Sequence, residues 1–146
     1  MAQIKHMLLL VEDSSDDEIL TLRAIKNCGV LCTVEVIRRG DLVLGKLLSA
    51  DHPMPELVLL DFHLPALNGL EVLRQLRKHP ATKKLPIVIL SGLGSESDLT
   101  SCLEEGANSC VHKPDDVSLY LDHVGQIVRY WLTVDRRPGQ QLALHE

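Results

Sequence analysis

Three short stretches of the chain are apolar at nearly every position: residues 7–11, 57–60 and 87–90. Uninterrupted runs of this length are the pattern of strands covered on both faces of a parallel sheet. Two further runs are weaker. Residues 33–37 alternate apolar with polar side chains, and residues 108–112 carry little apolar weight, so both suit the edges of a sheet better than its centre.

Helical spacing fills the intervals. Ser15 and Glu18 form a capping-box pattern ahead of Ile19, Leu22, Ala24 and Ile25, and Gly29 is placed to stop the helix. Asn68 and Glu71 open another helix carrying Leu70, Leu73 and Leu76, which ends before Pro80. A helix is predicted from about Ser95 to Gly106, and residues 40–49 suit a weaker one. The last, over residues 116–133, repeats apolar side chains at Val117, Tyr120, Leu121, Val124, Ile127, Val128, Trp131 and Leu132 and is the longest element expected. Strand and helix thus alternate five times, which predicts an α/β fold with right-handed crossovers and an open, doubly wound parallel sheet. With the two weak runs at its edges, the strand order is 2-1-3-4-5.

The composition agrees with one globular domain. Of 146 residues, 45% are hydrophobic and 24% charged, which excludes disorder and argues against a chain that spans a membrane. The 15 basic and 20 acidic residues give a net charge of -5, the wrong sign for direct DNA binding. Five of the acids fall between Glu12 and Glu18, in the string EDSSDDE, and outside it the charges balance at 15 each. Acids so crowded repel one another, so either they face water or some of them hold a cation. Cys28, Cys32, Cys102 and Cys110 show no CxxC pairing, and residues 7–11 are too short for a signal-peptide core, so a cytoplasmic protein with reduced thiols is expected.

In a doubly wound sheet, ligands bind beyond the carboxyl ends of the strands. Those ends carry Glu12 and Asp13, then Asp61, then Ser91, then Lys113 followed by Pro114. A nucleotide site would need free N–H groups in a glycine-rich or hydroxyl-rich loop after the first strand, and carboxylates stand there instead. Three convergent carboxylates, Glu12, Asp13 and Asp61, suit hydrated Mg²⁺. The metal would screen Asp61 for attack on phosphorus, and Lys113 and Ser91 could bind the remaining phosphoryl oxygens.

Taken together, the motifs LLLVEDS (residues 8–14), LLDFHLP (59–65), NGLE (68–71), PIVILSG (86–92) and HKP (112–114) resemble a response-regulator receiver domain of two-component signalling, over residues 5–133. The resemblance implies a flavodoxin-like (βα)5 domain over residues 1–134 with a flexible tail, 135–146, and leaves no room for an output domain. It implies that Asp61 is the phosphoacceptor, Asp13 a direct Mg²⁺ ligand, Glu12 an acid reaching the metal through water, and His63 a main-chain carbonyl ligand. Ser91 and Lys113 would bind the phosphoryl group, and the bond between Lys113 and Pro114 would be cis. The implied partners are a sensor histidine kinase or phosphotransfer protein and a downstream protein target. The group associated with bacterial phytochrome kinases is the most similar. Such a domain is a phosphoacceptor rather than a conventional enzyme.

Some positions depart from the family pattern. Cys110 stands where an aromatic switch residue is usual, and His63 and Leu93 occupy positions that tune phosphoryl lifetime without the common polar residues. Read by themselves, His63 is a loop histidine and Cys110 with His112 a strand face packed on a helix. Asp16, Asp17 and Glu18 are expected to complement the dipole at a helix start. Of Tyr130 and Trp131, core packing accounts for one, and Trp131 motivates a homodimer through the face between the fourth strand and the last helix. Two other functions are consistent with the chain: a pseudo-receiver scaffold that binds partners without phosphorylation, and a Mg²⁺-dependent phosphatase. The phosphatase is disfavoured because His63 and Leu64 stand where a general acid is needed.

Overall fold

The computed structural model describes residues 5–92 and 96–135. Five strands alternate with five helices: β1 (His6–Val11), α1 (Ser15–Lys26), β2 (Cys32–Ile37), α2 (Val43–Leu47), β3 (Leu57–Asp61), α3 (Gly69–Lys78), β4 (Ile87–Ser91), α4 (Glu96–Glu104), β5 (Ser109–His112) and α5 (Val117–Arg129). All pairings are parallel, in the order β2-β1-β3-β4-β5. The two weak runs are the edges, and the three apolar runs form the centre, as expected.

Alternation along the central strands divides the core in two. Leu9, Val11, Val58, Leu60, Ile87 and Ile89 pack with Val43 and Leu47 of α2 and with Val72, Leu73 and Leu76 of α3. Leu8, Leu10, Leu57, Leu59, Val88 and Leu90 face Ala24 and Ile25 of α1 and Tyr120, Val124 and Val128 of α5. Each such leucine taken fully out of water stabilises the fold by about 1.5–3 kcal/mol. This double burial fixes the register, and therefore fixes which residues end up beyond the strand ends.

The helix starts differ in detail from the sequence pattern. Asn68 and Glu71 do form the reciprocal capping box of α3, at 3.0 and 3.1 Å. For α1 the cap is Ser14 rather than Ser15: the Ser14 hydroxyl accepts the Asp17 N–H at 3.3 Å. Glu18, which a Ser15 box would have used, is drawn away by Arg38 through two bonds of 3.0 and 2.8 Å. Ile19 is 57% exposed instead of packing on the core, and Thr21 takes a buried position, its hydroxyl 2.6 Å from that of Tyr120. Gly29, at φ 87°, provides the left-handed residue after the helix.

Elsewhere the segment expected as a weak helix is a 3-10 turn, Gly40–Leu42, running into the five residues of α2. The last helix changes to a wider π turn over Tyr130–Val134. Trp131 packs partly against the core, and Tyr130 is the outward aromatic, 48% exposed. The bond between Lys113 and Pro114 is trans, contrary to expectation; trans is the intrinsically favoured isomer by about 0.5–1 kcal/mol, and in this arrangement the Lys113 N–H still bonds the Ser91 carbonyl at 2.8 Å. Leu93, Ser95 and the expected tail beyond Asp135 lie outside the described residues.

One anchor carries no sequence signal. The Arg77 guanidinium donates to the carbonyls of Gly106 (2.9 Å), Lys83 (3.1 Å) and Leu85 (2.8 Å) and to Asn108 Oδ1 (2.9 Å). Asn108 Oδ1 also accepts the Ile87 N–H at 2.8 Å, so α3, the start of β4 and the entry to β5 are fastened at one point.

Candidate phosphoryl and metal site

The strand ends bring their polar residues together. Glu12 follows β1 and is completely buried, Asp61 ends β3 and Ser91 ends β4, both buried, and Lys113 follows β5. Asp13 is exposed beside Glu12. The Lys113 side chain is only 12% exposed, and its Nζ lies 3.0 Å from each of three carboxylate oxygens: Glu12 Oε1, Asp17 Oδ2 and Asp61 Oδ1. Three N–H donors thus meet three acceptors. The sequence alone places Asp17 at the helix start; within an acidic cluster, nothing in residue order distinguishes the acid whose side chain turns inward.

The electrostatics follow from burial. Loss of hydration pushes the Glu12 carboxyl up to about 7, with the Asp61 charge adding to the rise and Lys113 opposing it. Burial raises Asp61 as well, again against the pull of Lys113. Burial alone would lower Lys113, but the Asp61 and Glu12 charges outweigh it and hold the ammonium above its ordinary value.

One ligand oxygen each from Glu12, Asp13 and Asp61 can be chosen so that all lie within 4.8 Å of one another. Hard oxygen donors, few in number and open to water on the Asp13 side, match the preference of Mg²⁺ for a few carboxylates with retained waters. The Ser91 hydroxyl is buried and has no hydrogen-bond partner among the described residues. A buried hydroxyl without a partner is uncommon and calls for a ligand or a water.

The loop from β3 to α3 closes tightly behind Asp61. The Gly69 N–H bonds the Phe62 carbonyl at 2.8 Å, and a Cβ on Gly69 would stand 2.6 Å from the Asp61 carbonyl oxygen. Within this loop Ala66 adopts a left-handed φ of 68°, and the exposed His63 sets its ring edge-on to Phe62 at 5.1 Å. Cys110 packs against the α3 side of the core, its Sγ 3.7 Å from the Leu99 carbonyl, so that position offers no aromatic rotamer. Beside Lys113 a cleft of about 360 Å³ is lined by Asp17, Leu20, Gly92, Val117 and Tyr120.

Residues 8–124 match the response regulator receiver domain family. The chain belongs to that family. The receiver domain is 32% identical to the probable methanogenesis regulatory protein FilR2 of Methanothrix harundinacea, over 94% of this chain and 91% of that protein. It is similar in structure to the phosphorylated cyanobacterial phytochrome response regulator RcpA, with a TM-score of 0.86 and 29% identity over 93% of this chain and all of that one. The Mn²⁺-bound form of Rcp1, a response regulator of Synechocystis, gives a TM-score of 0.84 and 28% identity over 92% of this chain and 99% of that one. The receiver domain therefore has the fold and acidic cluster of a two-component signalling domain, compatible with a divalent cation. Among the described residues, no helix is long and apolar enough to cross a membrane.

Proposed function

We propose that this receiver domain accepts a phosphoryl group on Asp61 from the phosphohistidine of a sensor histidine kinase or phosphotransfer protein, and signals by contact with a downstream protein. The observation that carries this reading is the meeting, at one sheet edge, of Asp61, a Lys113 ammonium 3.0 Å from it, and a buried Ser91 hydroxyl that has no partner among the described residues. Glu12, Asp13, Asp61 and the His63 main-chain carbonyl are the groups that would hold Mg²⁺, which when bound draws negative charge from the carboxylate and the phosphoryl oxygens. An Asp61 oxygen attacks phosphorus, the P–N bond to the donor imidazole breaks, and its electron pair stays with the leaving nitrogen. Lys113 and Ser91 take up phosphoryl oxygens as the bond forms.

The product adds a charge of roughly -1.5 to -2 to a site already crowded with acids, enough to bias the loops that surround it. The likeness to the phytochrome response regulator RcpA supports a phytochrome-type kinase as donor, and the four free cysteines fit a cytoplasmic setting. The full chain, given Mg²⁺ and acetyl phosphate, gains one phosphoryl group by intact mass, and the gain disappears in Asp61→Ala and when Mg²⁺ is chelated. No gain in the wild type leaves the pseudo-receiver scaffold as the reading in its place.

A further inference from the structure

Of the three carboxylates on the Lys113 ammonium, Asp17 alone has no part in the chemistry proposed above. It is the third residue of α1, where an acid ordinarily folds back onto the N–H of the capping residue. Here that N–H, of Ser14, points to Glu12 Oε2 at 3.4 Å. The Asp17 carboxylate is thereby free to reach Lys113 at 3.0 Å, while its own N–H is held by the Ser14 hydroxyl. Asp17 is also placed differently from the other two acids. Its side chain is 38% exposed, and it stands outside the group of Glu12, Asp13 and Asp61 oxygens that can converge on a metal.

A divalent cation held by Glu12, Asp13 and Asp61 would compete with Lys113 for the oxygens of Glu12 and Asp61, but not for that of Asp17. We propose that Asp17 is a positioning residue for phosphoryl transfer: it retains the Lys113 ammonium when the cation takes Glu12 and Asp61, and so presents Nζ to the phosphoryl oxygens beside Asp61. The proposal rests on the reading of Asp61 as phosphoacceptor. Without Asp17, both remaining partners of the ammonium among the described residues are groups the metal would need. Metal binding would then leave Lys113 with neither of those acceptors, and its flexible four-carbon stem would be left to swing into the adjoining cleft. With Asp17, one charge-assisted hydrogen bond survives the exchange and keeps the ammonium near its target.

The test uses the full chain as wild type, Asp17→Ala, Asp17→Glu, Lys113→Ala and the Asp17→Ala/Lys113→Ala pair. Two quantities are measured: the Mg²⁺ dissociation constant, from the Mg²⁺ dependence of the melting temperature without phosphodonor, and the initial phosphorylation rate with acetyl phosphate at saturating Mg²⁺. Asp17→Ala is expected to weaken Mg²⁺ binding and to slow phosphorylation, each by about tenfold, as loss of a supporting partner at a metal site does. Asp17→Glu recovers part of both. In the Lys113→Ala background, Asp17→Ala changes either quantity by less than about twofold, because the two residues act as one unit. Equal effects of Asp17→Ala with and without Lys113, or no effect on either quantity, overturn the positioning role alone. A wild type that gains no phosphate overturns the phosphoacceptor reading and the positioning role with it.

Discussion

The hydroxyls of Thr21 and Tyr120 lie 2.6 Å apart in the buried seam between α1 and α5, and Tyr120 also lines the cleft beside Lys113. Removing one partner strands the other away from water. Tyr120→Phe is expected to destabilise the domain by about 1–3 kcal/mol in urea unfolding, whereas Thr21→Val combined with Tyr120→Phe recovers most of that loss. A double variant less stable than both single ones would show that packing, not the hydrogen bond, sets the cost.

Glu12 ties stability to pH. Its ordinary value is 4.5 and the fold raises it to about 7, so between these values the native state binds the extra proton. Stability of the metal-free protein from this group is therefore full below about pH 4.5 and is lost as pH rises through 7. The melting temperature without Mg²⁺ should fall from pH 5 to pH 8 more steeply in the wild type than in Glu12→Gln, which lacks the titration. Parallel curves for the two proteins would contradict this assignment.

Ser91→Ala separates stability from chemistry. Because the hydroxyl has no partner among the described residues, its removal should leave unfolding free energy unchanged or raise it by up to about 1 kcal/mol. The phosphorylation rate should fall about 10²-fold, the usual scale for losing one donor to a developing oxyanion. A loss of stability in urea titrations would mean that the hydroxyl is already bonded in the resting protein.

Gly69→Ala acts on Asp61 through the backbone. The added methyl meets the Asp61 carbonyl and the Phe62 Cα, neither of which belongs to a flexible side chain. Overpacking of this kind costs about 1–3 kcal/mol. The same displacement should lower the rate at which Asp61 is phosphorylated even at temperatures where the variant is fully folded. Circular dichroism melting and intact-mass kinetics on one sample distinguish the two effects.

Much of this was legible from residue order because double burial leaves a strong trace. Strands covered on both sides must be apolar throughout, so Leu57, Leu59 and Ile89 announce the sheet, and the first polar residue after each run is the one delivered to its edge. That is why Glu12, Asp61, Ser91 and Lys113 could be placed together in advance. What escaped depends on side-chain direction. Asp17 is one acid among five, and only the engagement of the Ser14 N–H by Glu12 explains why it turns to Lys113. Arg77 looks like any solvent-facing helix arginine, although it binds the carbonyls of Gly106, Thr82, Lys83 and Leu85 and the Asn108 side chain. Ile19 and Thr21 exchange the places their polarity suggests, because Tyr120 offers a buried hydroxyl to Thr21.

An open sheet also has two unpaired borders, and on this one they are β2 and β5. Bare strand edges recruit other chains and seed aggregation. Here β2 carries Glu35 in the middle of its length, where it pairs with His52 and Lys46, and β5 is only four residues long. A charge held on one border and brevity on the other make both poor templates for further strands. Weakening Glu35 would therefore open the β2 border to further strands while leaving the acidic cluster at the strand ends untouched.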